Sequence, residues 1–263
     1  MAFKFLIYNI DKNVATITIN KPDRMNALDL NVVQEIIDAI DLSCMDKEVR
    51  VMILTGSGNK AFSAGADLED KSTFEETSQI RIRENIMQYQ QLPMAIRNAS
   101  KPIIASVNGV AAGGSCNLVL SCDMIVASDT ARFVQGFANI GLSCDTGGTY
   151  FLPRIIGYSK ACEFLMTRQI LNAAEAMEMG LINKVVSADK LEAETKKLAS
   201  KIADGPPVAI RLLKNTLNRS MELNLTDTLE IEGSAHAACF TTRDFKEGVG
   251  AFLEKRKPKF VGE

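Results

Sequence analysis

Hydrophobic and polar positions alternate along the first half of the chain in two distinct periods. "FKFLIYNI", "VATITIN" and "RVMILTG" are short runs rich in β-branched residues, the second with a period of two, and each reads as a strand. Between them "LNVVQEIIDAIDLS" places Val32, Ile36, Ala39 and Ile40 at helical spacing. A polar segment with Gly and Ser, Thr55 to Ser78, leads into a helix expected to run to about Asn98. Then "KPIIASVNG" reads as a buried strand, followed by a Gly-Gly turn and the apolar stretch "SCNLVLSCDMIVAS". Beyond about Gly157 the pattern is almost entirely helical, with "AETKKLASKIADG" stopped by Gly205-Pro206-Pro207 and followed by "VAIRLLKNTLNRSM" and "TDTLEIEGSAHAACF". The pattern is that of an α/β core with a C-terminal helical region.

With 263 residues, 46% of them hydrophobic, the chain can bury a sizeable core. Its 30 basic and 32 acidic residues are spread evenly, leaving a formal charge of -2, so no nucleic-acid footprint is present and any anionic ligand must be held by local positive groups. Cys44, Cys116, Cys122, Cys144, Cys162 and Cys239 are irregularly spaced without C-x-x-C, a pattern that fits reduced thiols rather than disulfides or a zinc site. No apolar run approaches the roughly 20 residues that span a bilayer, and neither a cleavage signature nor a peroxisomal tripeptide is read. A cytoplasmic protein with no metal and no membrane partner is expected.

Two Gly-rich turns are candidates for close approach of backbone to a ligand: "FSAGADL", Phe62 to Leu68, and "NGVAAGGSCN", Asn108 to Asn117, where a helix should open at Ser115. Such turns let unpaired N–H groups point at an anion or a developing oxyanion, although each is also an ordinary strand-to-helix connection. The lone histidine, His236, lies among alanines in a predicted helix without triad partners. "TGSGNK", Thr55 to Lys60, lacks the phosphate-loop spacing, and no dinucleotide fingerprint follows a strand. In "IGLSCDTGGTY" one carboxylate, Asp145, stands among small and apolar residues; locally it reads either as a cap for a helix beginning near Gly147 or as an acid held in a pocket.

Several ordered segments, "ITINKPDRMNALD", "AFSAGADL", "KPIIASVNGVAAGGSCNLVLSCDMIVAS", "FANIGLSCDTGGTYFLPRIIG", "AEAMEMGLINKVV" and "DFKEGVGAFLEKRKPKF", resemble the crotonase (enoyl-CoA hydratase/isomerase) superfamily over essentially the whole length. The resemblance implies a crotonase-like ββα spiral core over residues 1–200 that binds acyl-CoA, a helical trimerisation region over 201–263, and a homotrimer or a dimer of trimers. It also implies an acyl-CoA thioester as substrate, with coenzyme A entering as part of it and no resident cofactor. The oxyanion donors fall on the N–H groups of Ala66 and Gly114. CoA or substrate contacts fall on Arg24, Ala27, Leu28, Ala64, Gly65, Asp67, Leu68, Phe137, Phe252 and Lys255, the last two reaching a neighbouring subunit's ligand in many members. By itself Asp67 reads as a turn or helix cap, and Asp123 as structural.

Hydratases of this superfamily resemble one another in carrying two glutamates, and the matching positions here hold Asn117 and Phe137. Asp145 instead occupies the position of the catalytic acid in Δ3,Δ2-enoyl-CoA isomerases and the ring-epoxide isomerase of phenylacetate degradation. The expected activity is therefore isomerisation by proton transfer through a thioester enolate, with Asp145 as the shuttle. A hydratase or hydrolase with non-standard acids and a non-catalytic acyl-CoA-binding protein are the alternatives. CoA aryl dehalogenases also place Asp here but use His and Trp, and this chain has no Trp. Rough position and apolar character nominate Phe74, Ile86, Tyr89, Gln90, Leu92, Phe137 and Leu142 as walls of the acyl pocket.

Overall fold

A computed structural model describes residues 3–69 and 76–263. Strands β1 (Leu6–Asp11) and β2 (Val14–Ile19) form an antiparallel hairpin, and helix α1 (Leu30–Met45) follows. Asp29 caps α1 by accepting the N–H groups of Asn31 and Val32, and the helix buries Val32, Val33, Ile36, Ala39, Ile40 and Ser43, the face that its spacing predicts.

A unit of two strands and a helix then repeats. Strands β3 (Val51–Gly56) and β4 (Ala61–Ser63) precede α2 (Gln79–Asn98); β5 (Ile103–Val107) and β6 (Val110–Ala112) precede α3 (Gly114–Ser121); β7 (Met124–Ser128) and β8 (Arg132–Val134) precede α4 (Gly148–Ile156). The first strand of each unit joins one sheet and the second joins another. With β10 (Lys184–Val186) the large sheet has the order β1-β2-β3-β5-β7-β10, and with β9 (Ile170–Asn172) the small one has β4-β6-β8-β9. Among the described residues only β1/β2 and β8/β9 are antiparallel. The result is a ββα spiral. Its crossover between sheets is tight: a Cβ on Gly109 would stand 2.3 Å from the Lys60 carbonyl oxygen, so no side chain fits there.

Leu54, Phe62, Ile103, Phe133 and Leu152 fill the main core among the sheets and helices, while α7 (Leu191–Ala203) covers the opposite face of the large sheet through Leu191, Ala199 and Ala203 against Val51, Ile53, Ile104 and Val126. Helices α5 (Tyr158–Met166) and α6 (Ala173–Glu178) lie between α4 and β10. The three-residue strands β9 and β10 interrupt the segment after Gly157 that reads as almost entirely helical, because three residues are too few to display a period of two.

The last region comprises α8 (Pro207–Ser220), α9 (Leu225–Phe240) and α10 (Arg243–Leu253). It is fastened to the core by Lys214, whose Nζ donates to the carbonyls of Ile96 (2.9 Å) and Lys101 (3.1 Å) and pairs with Asp123 (2.8 Å). Arg50 adds donations to the carbonyls of Ala203 and Phe260. Leu213, Leu217, Met221, Leu225, Leu229 and Phe240 remain exposed on this region. All six cysteines are free, Cys116 and Cys122 buried and the others half-buried. Among the described residues no helix is long and apolar enough to cross a membrane.

Candidate active site

The two Gly-rich turns meet. Strand β4 ends at Ser63, and the turn after it is bracketed by Leu28, whose N–H donates to the Gly65 carbonyl (2.8 Å) and whose carbonyl accepts from Asp67 N–H (2.9 Å) and the Tyr89 hydroxyl (3.2 Å). Gly65 has φ +91°, which a residue with a Cβ rarely adopts, and a Cβ there would lie 2.6 Å from the Ala112 carbonyl and 3.8 Å from the Gly114 nitrogen. Strand β6 ends at Ala112 and α3 opens at Gly114, with Gly113 N–H spent on the Val134 carbonyl. No acceptor among the described residues takes the N–H of Ala66 or of Gly114. Each follows a strand of the small sheet, and β4 and β6 are neighbours in it. Ser115 ties the turns together, its hydroxyl donating to the Ser63 carbonyl (2.6 Å).

Asp145 lies beside this junction. A Cβ built on Gly114 would be 3.9 Å from Asp145 Oδ1 and 3.1 Å from Thr146 Oγ1, and the Thr146 hydroxyl donates to that same Oδ1 (2.7 Å). Burial pushes the Asp145 carboxyl above its ordinary value, while the Thr146 hydroxyl and the residue's own N–H pull the other way and do not offset it. The capping alternative fails for the side chain. Helix α4 is capped by Gly147 without any side-chain bond, and it is the Asp145 backbone carbonyl that accepts Gly148 N–H (3.1 Å).

The residues at the two hydratase-acid positions surround the same point. Asn117 is fully buried on α3, donating from Nδ2 to the Asp145 carbonyl (2.8 Å) and accepting from Gln135 Nε2 (3.0 Å). Phe137 is half-buried, its ring tip 3.8 Å from a Cβ placed on Gly113, so the aromatic ring abuts the turn. Asp123 and His236 are elsewhere. Asp123 accepts Ile103 N–H and holds Lys214, and exposed His236 packs edge-on against Phe240.

The other residues expected to touch CoA divide into two groups. Ala27, Ala64, Gly65, Asp67 and Leu68 lie along the bracketed turn, with Leu68 exposed. Both backbone polar groups of Leu28 are already paired, so it holds the turn rather than offering it bonds. Arg24 donates to Asp67 (2.7 Å) and Glu69 (2.8 Å). Burial works to raise Asp67, but Arg24, the Glu69 N–H and Lys21 outweigh it and hold the carboxyl below its usual range. Asp67 therefore stays ionised and orients Arg24. Phe252 and Lys255 stand apart: Phe252 lines a separate apolar cavity of about 380 Å³ between α8 and α10 together with Phe245, Val249 and Phe260. Of the proposed acyl-pocket walls, Leu92 and Tyr89 belong to the core, Ile86 and Leu142 are exposed, and Phe74 is outside the described residues.

The enoyl-CoA hydratase/isomerase family model matches residues 9–263. The chain belongs to the enoyl-CoA hydratase/isomerase family. As a crotonase-type enzyme it acts on acyl-CoA thioesters by hydratase or isomerase chemistry. It is 39% identical over 263 residues to the crotonyl-CoA hydratase of Syntrophomonas wolfei, covering 100% of both chains. It is 33% identical over 262 residues to the 1,2-epoxyphenylacetyl-CoA isomerase of Escherichia coli, covering 99% of each. A crystal structure of an enoyl-CoA hydratase from Bacillus anthracis superposes with a TM-score of 0.94 at 32% identity, covering 99% of this chain and 100% of that one. The crotonase fold expected from the motifs is the fold observed.

Thr146 and Gln135 escape a reading by motif, since neither residue type announces a role at its position. The sequence signal for Thr146 is only its adjacency to Asp145; for Gln135 no local signal exists, because its partner Asn117 is 18 residues away.

Proposed function

We propose that this family member is an acyl-CoA isomerase that shifts a double bond from the β,γ to the α,β position. The observation that carries the proposal is one partly buried carboxylate, Asp145, beside the open N–H of Gly114, with Asn117 and Phe137 at the positions of the two hydratase acids. A proton on C2 of a 3-enoyl thioester is acidic because its removal puts charge on the thioester oxygen. The N–H groups of Ala66 and Gly114 receive that charge, the second reinforced by the N-terminus of α3, and loss of one such donor costs roughly 3–4 kcal/mol of barrier. Asp145 removes the C2 proton and returns it at C4. Its raised pKa makes it a stronger base than an exposed carboxylate while leaving it able to ionise. One carboxylate suffices because no water has to be activated.

Arg24 and the backbone around Ala27, Ala64, Gly65, Asp67 and Leu68 hold the CoA portion, and Phe137 borders the acyl group. The chain works as a trimer or a dimer of trimers, in which Phe252 and Lys255 reach the ligand of a neighbour. The 39% identity to a crotonyl-CoA hydratase favours a second reading, hydration with Asp145 as an unconventional single acid. A panel of 3-hexenoyl-CoA, crotonyl-CoA and ring-epoxide phenylacetyl-CoA, run on wild type and Asp145→Asn, tests both. The expected result is isomerisation of 3-hexenoyl-CoA or the ring epoxide by wild type and a loss of about 10²–10⁴-fold in kcat for Asp145→Asn, the range typical of a proton-transfer group. Full isomerase turnover by Asp145→Asn overturns the reading, and rapid hydration of crotonyl-CoA without isomerisation replaces it with the second.

A further inference from the structure

Asp145 is held from two sides by residues that carry no charge. Its carbonyl oxygen receives Asn117 Nδ2 at 2.8 Å and Gly148 N–H at 3.1 Å, which pins the backbone of the loop. Its Oδ1 receives the Thr146 hydroxyl at 2.7 Å, and no donor among the described residues bonds Oδ2. Asn117 is in turn fixed by Gln135 at 3.0 Å and by close packing against Cys144. Thr146 is buried at φ +48°, a left-handed conformation that is unfavourable for a β-branched side chain. Its hydroxyl lies against Gly114, where a Cβ would be 3.1 Å away. Strain at such a residue persists only where its surroundings over-determine it.

Gly114 and Asn117 are one turn apart on α3. The same turn of helix therefore presents the proposed oxyanion donor and grips the loop carrying the base. We propose that Asn117 and Thr146 are positioning residues that fix Asp145 relative to Gly114 and leave Oδ2 as the oxygen that carries the proton. This rests on the isomerase reading. Among the described residues the ionisable groups packed at the loop are thiols, Cys144 on the loop itself and Cys116 on α3, and burial raises both, Cys116 to about 12. Neither competes for the proton at neutral pH, so the Thr146 hydroxyl is the side-chain contact that tunes Asp145.

Thr146→Val removes the hydroxyl while keeping shape and branching, and Thr146→Ser restores it. The donor stabilises the ionised carboxylate, so its loss must raise the Asp145 pKa and move the acid limb of kcat/KM to higher pH. Thr146→Val is expected to lower kcat by about 10–100-fold with KM within about twofold, the size of effect that misaligned reacting groups produce. Thr146→Ser is expected to recover both kcat and the acid limb. A carboxyl ¹³C titration of the ligand-free protein, assigned through Asp145→Asn, reads the contact without any assay: the Asp145 resonance should titrate higher in Thr146→Val and not in Thr146→Ser. Unchanged kcat and unchanged titration in Thr146→Val overturn the proposal, as does an equal loss in the Val and Ser variants. A shifted titration with unchanged kcat, in a protein that Asp145→Asn inactivates, also overturns it. Failure of the isomerase reading shows separately, as full turnover by Asp145→Asn.

Discussion

Gly148 shows how little room surrounds the base. A Cβ on it would meet Asn117 Oδ1 at 2.5 Å, Cys144 Sγ at 2.5 Å and Asn117 Nδ2 at 2.6 Å, all parts of the bracket around Asp145. Gly148→Ala is therefore expected to cost about 1–3 kcal/mol as the bracket is forced apart, and to lower kcat as well; thermal unfolding and turnover of the one variant check both. At this scale the sequence was legible where a motif carries chemistry in its own residue type. Asp145 stood out as an acid among apolar neighbours, and Asn117 as a position without the hydratase carboxylate. What Asn117 does instead was not legible, since its partners Gln135 and Asp145 lie 18 and 28 residues away and meet it only in the folded loop. The same holds for the failed cap: an Asp before a helix usually offers its side chain, but here the carboxylate turns to Thr146 and the carbonyl takes the helix N–H.

Between elements, the Lys214–Asp123 pair joins the C-terminal region to the sheet. Lys214 is 6% exposed and makes three bonds, two of them to carbonyls at the end of α2 and just before β5. Replacing it by Met leaves the half-buried Asp123 without its counter-ion and two carbonyls without their donor, and Lys214→Met is expected to lose about 3 kcal/mol in denaturant unfolding, with turnover per folded molecule unchanged. Helix α1 and strand β2 are legible by their periods, and β3 and β5 as apolar runs long enough to read as buried strands. Strands β4, β6 and β8 were not legible as a second sheet, because three residues between a Gly-rich turn and a polar loop carry no periodicity. Their pairing follows only from the spiral.

For the molecule as a whole, the apolar residues Leu213, Leu217, Met221, Leu225, Leu229 and Phe240, all exposed on α8, α9 and the turn joining them, need cover. If the chain assembles as proposed, sedimentation velocity gives a species of three or six chains, and Leu217→Glu with Leu229→Glu shifts it toward the monomer; a wild-type monomer at micromolar concentration rejects the assembly. The separation of the proposed oxyanion donors has a different origin from all of these contacts. One donor follows β4 and the other follows β6, adjacent strands of the small sheet, so their spacing derives from the roughly 4.7–4.9 Å between paired strands. The proposed cradle for the thioester oxygen is thus one step of the spiral's own repeat. The acid positions, Asn117, Phe137 and Asp145, lie outside the two strands that set it. A single scaffold can in this way keep one enolate-stabilising step while relatives named for hydration and for isomerisation diverge in what they do with the proton.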